Sequence, residues 1–195
     1  MSVHSTIFRY PFWKVFIDWF VAFILLLVFL IPLLILFILS SLNVRDNGIF
    51  TQIRIGRFGN KFNIYKFRTI NGEGHISSFG NFIRKYKLDE IPQLVNILKG
   101  EMSFVGPRPD VPGYYDKLTG NEIVLLELRP GITSPASIKY SREEELLKTV
   151  ADPEWYNDHI IFPDKVQINL RYQKDLSFKK DLSVIWYTIR SVFFN

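Results

Sequence analysis

Cysteine is absent from the 195-residue chain, so neither a disulfide framework nor a thiolate metal centre can form. Histidine is scarce: His4, His75 and His159 stand far apart, without the spacing of a metal-ligand set or of a nucleophile and its base. Neither a Gly-x-x-x-x-Gly-Lys phosphate loop nor a Gly-x-Gly-x-x-Gly turn occurs, which removes two glycine-built nucleotide cradles. Internal repeats and low-complexity tracts are missing as well. What remains has the length of one compact domain, is 48% hydrophobic and 16% aromatic, and carries a formal net charge of +5. Such a composition builds a core and leaves apolar surface over. The charge suits an anionic partner, and nucleic acid, anionic lipid and a polyphosphorylated substrate all stay open on charge alone.

From Trp19 to Leu42 the chain is apolar almost without a break, interrupted by Pro32 and closed by Ser40 and Ser41. That is membrane scale, since a spanning helix needs about 20 apolar residues. A cleaved leader is set aside: the run exceeds the usual apolar core of roughly 7–15 residues and ends at Ser-Ser-Leu-Asn without a small-x-small site. Arg9 and Lys14 precede the run and Arg45, Arg54 and Arg57 follow it, so the positive-inside bias favours neither orientation. Pro32 removes a backbone hydrogen bond and presses on the carbonyl of residue 28, which predicts a kink near the middle. Two arrangements satisfy these features. One is a proline-kinked spanning helix; the other is a re-entrant anchor, with both ends on one face and Lys14 and Asp18 at headgroup level beside Trp13 and Trp19.

Beyond the run, residues 49–55 and 61–69 alternate apolar and polar around Gly59-Asn60, which predicts a β-hairpin. A period of two puts Lys66 and Arg68 on one face of the second strand, where two cations could converge on an anion; a solvated strand face is the plainer account. Residues 77–87 place Phe79, Phe82, Ile83 and Tyr86 at helical spacing among Arg84, Lys85 and Lys87, a short basic amphipathic helix. A second helix is expected over 90–99, and later ones over 121–128, 142–149 and 182–194.

Asp89 and Glu90 are adjacent at the start of that second helix, between a basic cluster and the loop Gly106-Pro107-Arg108-Pro109. An N-capping aspartate with an acidic first turn accounts for them structurally. The chemical alternative is a carboxylate that attacks phosphorus while its neighbour helps hold a hard divalent cation. Arg108 sits between two prolines whose fixed φ limits where its guanidinium can go, which suits bidentate contact with phosphate; an ordinary exposed turn accounts for it equally.

In order along the chain, Lys14-x-x-x-Asp18 before a proline-broken apolar run, Tyr65-Lys66-Phe67-Arg68-Thr69, Leu88-Asp89-Glu90-Ile91-Pro92-Gln93-Leu94, Gly100-Glu101-Met102-Ser103 and Val105-Gly106-Pro107-Arg108-Pro109 resemble the bacterial sugar transferase family, the small monotopic phosphoglycosyl transferases. The resemblance covers nearly the whole chain and is to the short, single-domain branch. It implies an α/β fold: a small soluble domain at 44–195 with a short β-hairpin and amphipathic surface helices, anchored through 1–43 by a re-entrant helix-break-helix. It implies transfer of a sugar 1-phosphate from a UDP-sugar to polyprenyl phosphate, at the cytoplasmic face of the bacterial inner membrane, with membrane phospholipid around the anchor and no nucleic-acid partner. That would be the first membrane step in making a glycoconjugate, and homodimer formation is left open. The family's catalytic dyad maps onto Asp89 and Glu90, with Asp89, its first member, as the nucleophile that forms a covalent aspartyl phosphosugar and releases UMP, and with Mg2+ as cofactor held by the same two residues. Its phosphate-binding arginine maps onto Arg108, and Lys66, Arg68 and Arg84 fall at family-typical basic positions. The turn-rich stretch from Arg129 to Tyr140 is expected to contact the nucleotide-sugar, with Arg129 as a binding residue. One departure is Ile31-Pro32 where many members have Ser-Pro. Two rival functions keep the same residues: a membrane-bound phosphohydrolase, and a non-catalytic basic factor that binds anionic lipid.

Overall fold

The structure, a computed structural model, describes residues 10–193; Arg9 and His4 lie outside them. Two helices open it, α1 (Phe12–Val28) and α2 (Leu30–Val44), bent by 69° at Phe29. The bend falls three residues before Pro32, in the first turn of α2, where a missing amide hydrogen costs nothing. Among the described residues no single helix is long and apolar enough to cross a membrane, whereas the bent pair together has that length and composition.

The pair is inverted relative to a soluble helix. On α1 the buried positions are Lys14, Asp18 and Ala22, while Phe12, Phe16, Phe20 and Leu27 are exposed. Contiguous apolar surface of this extent marks a partner or a membrane. The two charges that the sequence placed at headgroup level are gripped by the protein itself. Lys14 is 1% exposed and ion-pairs with Asp181, with Asp18 at 3.8 Å. Tyr172 donates its hydroxyl to the same Asp181 at 2.6 Å. Ala22, with only a methyl group to hold α1 off, packs in a core cluster with Ile64, Leu94, Ile97 and Met102.

The expected hairpin forms from β1 (Ile49–Ile55) and β2 (Lys61–Phe67), antiparallel with Ile49 opposite Phe67 and Ile55 opposite Lys61. Its connection is a tight turn in which Phe58 and Gly59 both have positive φ. The basic amphipathic helix is α3 (Ser78–Lys85), capped by the Ser77 hydroxyl, which accepts from the Gly80 amide. The next helix differs from expectation. Leu88–Gln93 is a 3-10 helix, entered through Lys87 at φ 56°, and only Leu94–Leu98 is α-helical (α4). Pro92 explains the tightening: it has no amide hydrogen to give to an α-helical ladder.

A parallel pair that periodicity did not reveal follows, β3 (Ser103–Val105) beside β4 (Gly131–Thr133). Three residues are too few to show a period of two. The expected helix at 121–128 is 3-10, over Gly120–Glu127. After β4 come α5 (Pro135–Lys139), α6 (Glu143–Leu147) and α7 (Pro153–Tyr156). A π-helical turn, Asn157–Ile161, leads into α8 (Phe162–Lys174), and α9 (Phe178–Phe193) ends the described chain. The main core joins β1, β3, α8 and α9 through Ile55, Val105, Val166, Tyr172 and Val184. The fold is thus mixed α/β with helices predominating and sheets confined to two pairs of strands.

Candidate active site

Glu90 stands at the centre of the polar cluster. It lies in the 3-10 helix, 5% exposed, and its Oε1 accepts from Arg108 Nη2 at 2.5 Å and from Lys66 Nζ at 3.0 Å. Burial alone would raise its pKa, but Arg108 and then Lys66 outweigh that and hold it at about 2. Lys66 is pushed down by burial and partly restored by Glu90.

Asp89, one residue earlier, has a different environment. It is buried, its Oδ1 has no hydrogen-bond partner among the described residues, and burial followed by the charge of Glu90 raises its pKa. The two neighbours are therefore driven apart. Glu90 is a fixed anion already matched by cations, and Asp89 is a more basic carboxylate with an oxygen to spare. Divergent environments for adjacent carboxylates separate a charge-holding role from a reacting one.

The loop that carries Arg108 is set by the parallel strands. Gly106 donates its amide to Thr133 O at 3.0 Å and Gly131 donates to Pro107 O at 2.9 Å. A Cβ on Gly106 would collide with Arg129 O, and one on Gly131 with the Gly106 amide. Both positions need glycine for the strands to come this close. Pro107 and Pro109 then restrain the arginine, whose guanidinium is half exposed while it grips buried Glu90.

The other basic residues singled out in the sequence are placed apart. Arg68 does not join Lys66; it pairs with Asp46, just past α2. Arg84 lies 3.6 Å from Glu144 of α6 and still favours ionisation of Asp89. Arg129 stacks on the Tyr10 ring at 5.4 Å, with Arg57 on the same ring at 5.0 Å. Two side chains to which sequence reasoning assigned no role line the same recess as Lys66 and Arg108: Arg54 on β1 and Gln93 at the end of the 3-10 helix. The available signal was the place of Gln93 inside the Asp-Glu-x-Pro-Gln-Leu motif; Arg54 gave none, since it stands in the polar phase of β1, opposite to that of Ile53 and Ile55.

A divalent cation must be judged against these donors. No group of three or more His, Asp or Glu residues that could cage a metal occurs among the described residues. Magnesium, however, is commonly held by one or two carboxylates together with substrate phosphates and waters. The dyad, with the Asp89 oxygen unpartnered, fits an ion that arrives with a phosphorylated substrate better than a permanently caged one.

The model of the bacterial sugar transferase family matches residues 9–195. An uncharacterized sugar transferase of Bacillus subtilis is 32% identical over 154 residues, which cover 73% of this chain and 68% of that protein. An undecaprenyl-phosphate glucose phosphotransferase of Komagataeibacter xylinus is 31% identical, over 89% of this chain and 35% of the relative. A UDP-N-acetylgalactosamine-undecaprenyl-phosphate N-acetylgalactosaminephosphotransferase of Aeromonas hydrophila is also 31% identical, over 73% and 34%. The match thus spans about a third of the length of the last two proteins. With a family model running through the bent helix pair, the hairpin and the dyad alike, the chain belongs to the bacterial sugar transferase family.

Proposed function

We propose that this protein transfers a sugar 1-phosphate from a UDP-sugar to undecaprenyl phosphate or a similar polyprenyl phosphate, through a covalent intermediate on Asp89. The observation that carries this is the unpartnered, more basic Asp89 carboxylate beside a glutamate held ionised by Lys66 and Arg108. The names of the relatives support the acceptor: two are undecaprenyl-phosphate transferases that differ in the sugar they carry.

In the first step an Asp89 oxygen attacks the sugar-bearing phosphorus. The bond from that phosphorus to the bridging oxygen breaks, and its electron pair leaves with UMP. In the second, a phosphate oxygen of the lipid attacks the same phosphorus and returns Asp89 as a free carboxylate. Arg108 and Lys66 are preorganised by Glu90, so they can receive charge on the phosphoryl oxygens without rearranging. Mg2+, with Asp89 and Glu90 as its protein ligands, would offset the charge of the diphosphate.

The bent pair α1–α2 enters the cytoplasmic leaflet of the bacterial inner membrane and returns to the same side. Its outward apolar surface and the polar grip on Lys14 support this arrangement. Cysteines introduced at Ser2 and Asn47 should both react from the cytoplasmic side only; labelling of position 2 from outside would mean a spanning helix.

The deciding experiment incubates the protein with UDP-sugars and Mg2+ but no lipid acceptor. Intact mass should show a phosphosugar adduct, peptide mapping should place it on Asp89, and Asp89→Asn should abolish it. UMP released only when the acceptor is also present, with no adduct, would replace the two-step route by a ternary complex. Continued UMP release without lipid, with water taking the phosphosugar, would make the protein a phosphohydrolase.

A further inference from the structure

The charged lining of the shallow recess beside Glu90 is entirely cationic: Arg54, Lys66 and Arg108, with Gln93 among them. Lys66 and Arg108 are committed to Glu90. Arg54 is not. Its Nη2 donates to Gln52 Oε1 at 2.7 Å, and its Nη1 lies 3.8 Å from Asp110, an ion-pair distance beyond hydrogen bonding. Its Nε is buried with no partner among the described residues. An arginine carries five N–H donors, so most of the fork is unspent. Gln93 is 2% exposed, and its Nε2 is likewise buried and unpartnered. Buried donors are normally paired, and two residues that line one cationic recess, each with an orphaned donor, call for an acceptor with several oxygens.

We propose that Arg54 and Gln93 form the subsite for the departing phosphate, the one that leaves with the nucleoside when Asp89 takes the sugar-bearing phosphorus. This rests on the covalent transfer proposed above. In-line displacement puts the leaving oxygen on the side of phosphorus opposite the nucleophile. Lys66 and Arg108 belong both to the recess and to the cluster around Glu90, next in sequence to Asp89; Arg54 and Gln93 donate to neither carboxylate of the dyad. The donors form a path from the transferred phosphoryl group to a second anion. As the bond to the bridging oxygen breaks, the negative charge collecting on UMP is met by the Arg54 fork and the Gln93 amide. The shared chemistry is a phosphate monoester, and the phosphate of the lipid acceptor is the competing occupant.

The test separates the half-reactions. Adduct is formed from UDP-sugar, freed of UMP, and discharged either with UMP, which reverses the first step, or with polyprenyl phosphate, which completes the second. Arg54→Gln should slow the acceptor-free burst of UMP, and the discharge by UMP, by about 10²-fold, the scale of losing an oxyanion donor, while discharge by polyprenyl phosphate is unchanged. Gln93→Leu keeps the volume and removes an orphaned amide. It should unfold no more easily than wild type and still slow the same two steps, a pattern that a merely structural residue does not give. Discharge by lipid falling while discharge by UMP holds would hand the recess to the acceptor. Equal losses in both would place Arg54 on the transferred phosphoryl group, and no change in either would remove it from the reaction; each result overturns the proposal. Wild-type protein that forms no adduct with any UDP-sugar would instead bring down the covalent route on which the subsite depends.

Discussion

On α1 the inward positions are Lys14, Asp18 and Ala22 and the outward ones are phenylalanines, whereas on β2 Ile64 and Phe67 lie inside and Lys61 and Asn63 outside. Both regions nevertheless bury charge, and the balance differs. Under the anchor, two carboxylates, Asp18 and Asp181, share the ammonium of Lys14. At the dyad, Glu90 pairs with Lys66 and Arg108, Lys87 and Arg84 also favour ionisation of Asp89, and Arg54 lines the adjoining recess. The anchor cluster fastens one helix to another. The dyad cluster has positive charge and unspent donors left over, which is the condition for receiving a phosphate rather than for holding a fold.

The strongest way to break this contrast is to unbalance the anchor. Lys14→Met leaves Asp181 and Asp18 buried together without a cation, and should cost about 3–5 kcal/mol in denaturant unfolding of the detergent-solubilised protein. Adding Asp181→Leu should restore much of the loss, because Tyr172 keeps Val105 O as an acceptor at 3.2 Å. A loss below about 1 kcal/mol would mean that the apolar contacts around Ala22 hold α1 unaided.

Acid should act mainly at the dyad. Glu90 titrates at about 2 in the folded protein against an ordinary 4.5, so its contribution is complete above 4.5 and is lost as pH falls from 4.5 towards 2. The difference corresponds to about 3 kcal/mol. Asp89 works in the opposite direction, since its raised pKa means that protonation relieves the folded state. Comparison of wild type with Glu90→Gln isolates the Glu90 share: the variant should show a flatter stability curve between pH 4.5 and 2. Parallel curves would mean that Lys66 and Arg108 confer no net preference for the ionised form.

Arg108→Ala tests the same cluster by rate, with an expected loss of about 10²-fold in turnover, or near 2.7 kcal/mol. Because the guanidinium is half exposed, the fold should survive the change. Unchanged kinetics in a folded variant would leave Glu90 held by Lys66 alone and remove Arg108 from the chemistry.

The elements legible in the sequence were those whose local code is long enough to repeat. The hairpin showed because seven residues on each side alternate, and the bent helix pair because its apolar run is longer than any core helix needs. The strands β3 and β4 were hidden, since three residues pair there across a separation that only tertiary contact creates. Helix α8 was hidden too, behind polar residues such as Gln167, Asn169 and Gln173. At the site, motif order picked out Asp89, Glu90, Lys66 and Arg108, and the structure brings Lys66, Glu90 and Arg108 into direct contact. The resemblance assigned the nucleophile to Asp89, the first member of the pair, but residue type gave no physical reason for it, because Asp89 and Glu90 differ by what surrounds them. Nor could motif order show that Arg54 faces the cluster across the hairpin.

Arg68 gives the smallest expected effect and bears most directly on the boundary between the two regions. A period of two puts it on the same strand face as Lys66, yet it pairs with Asp46 at the exit of α2, where the two side chains are 32% and 60% exposed. A solvated pair of this kind contributes about 0–1 kcal/mol, so Arg68→Ala should unfold almost as wild type does. If the structure shows the arrangement that also holds during turnover, the burst of UMP from Arg68→Ala should stay close to normal, while Lys66→Ala, which loosens Glu90 from one of its two cations, slows it strongly. The opposite result has a clear physical meaning. A large loss on Arg68→Ala, with Asp46→Asn harmless, would show that Arg68 leaves the exposed carboxylate when a diphosphate arrives. Lys66 and Arg68 would then converge on one anion, as their shared phase predicts.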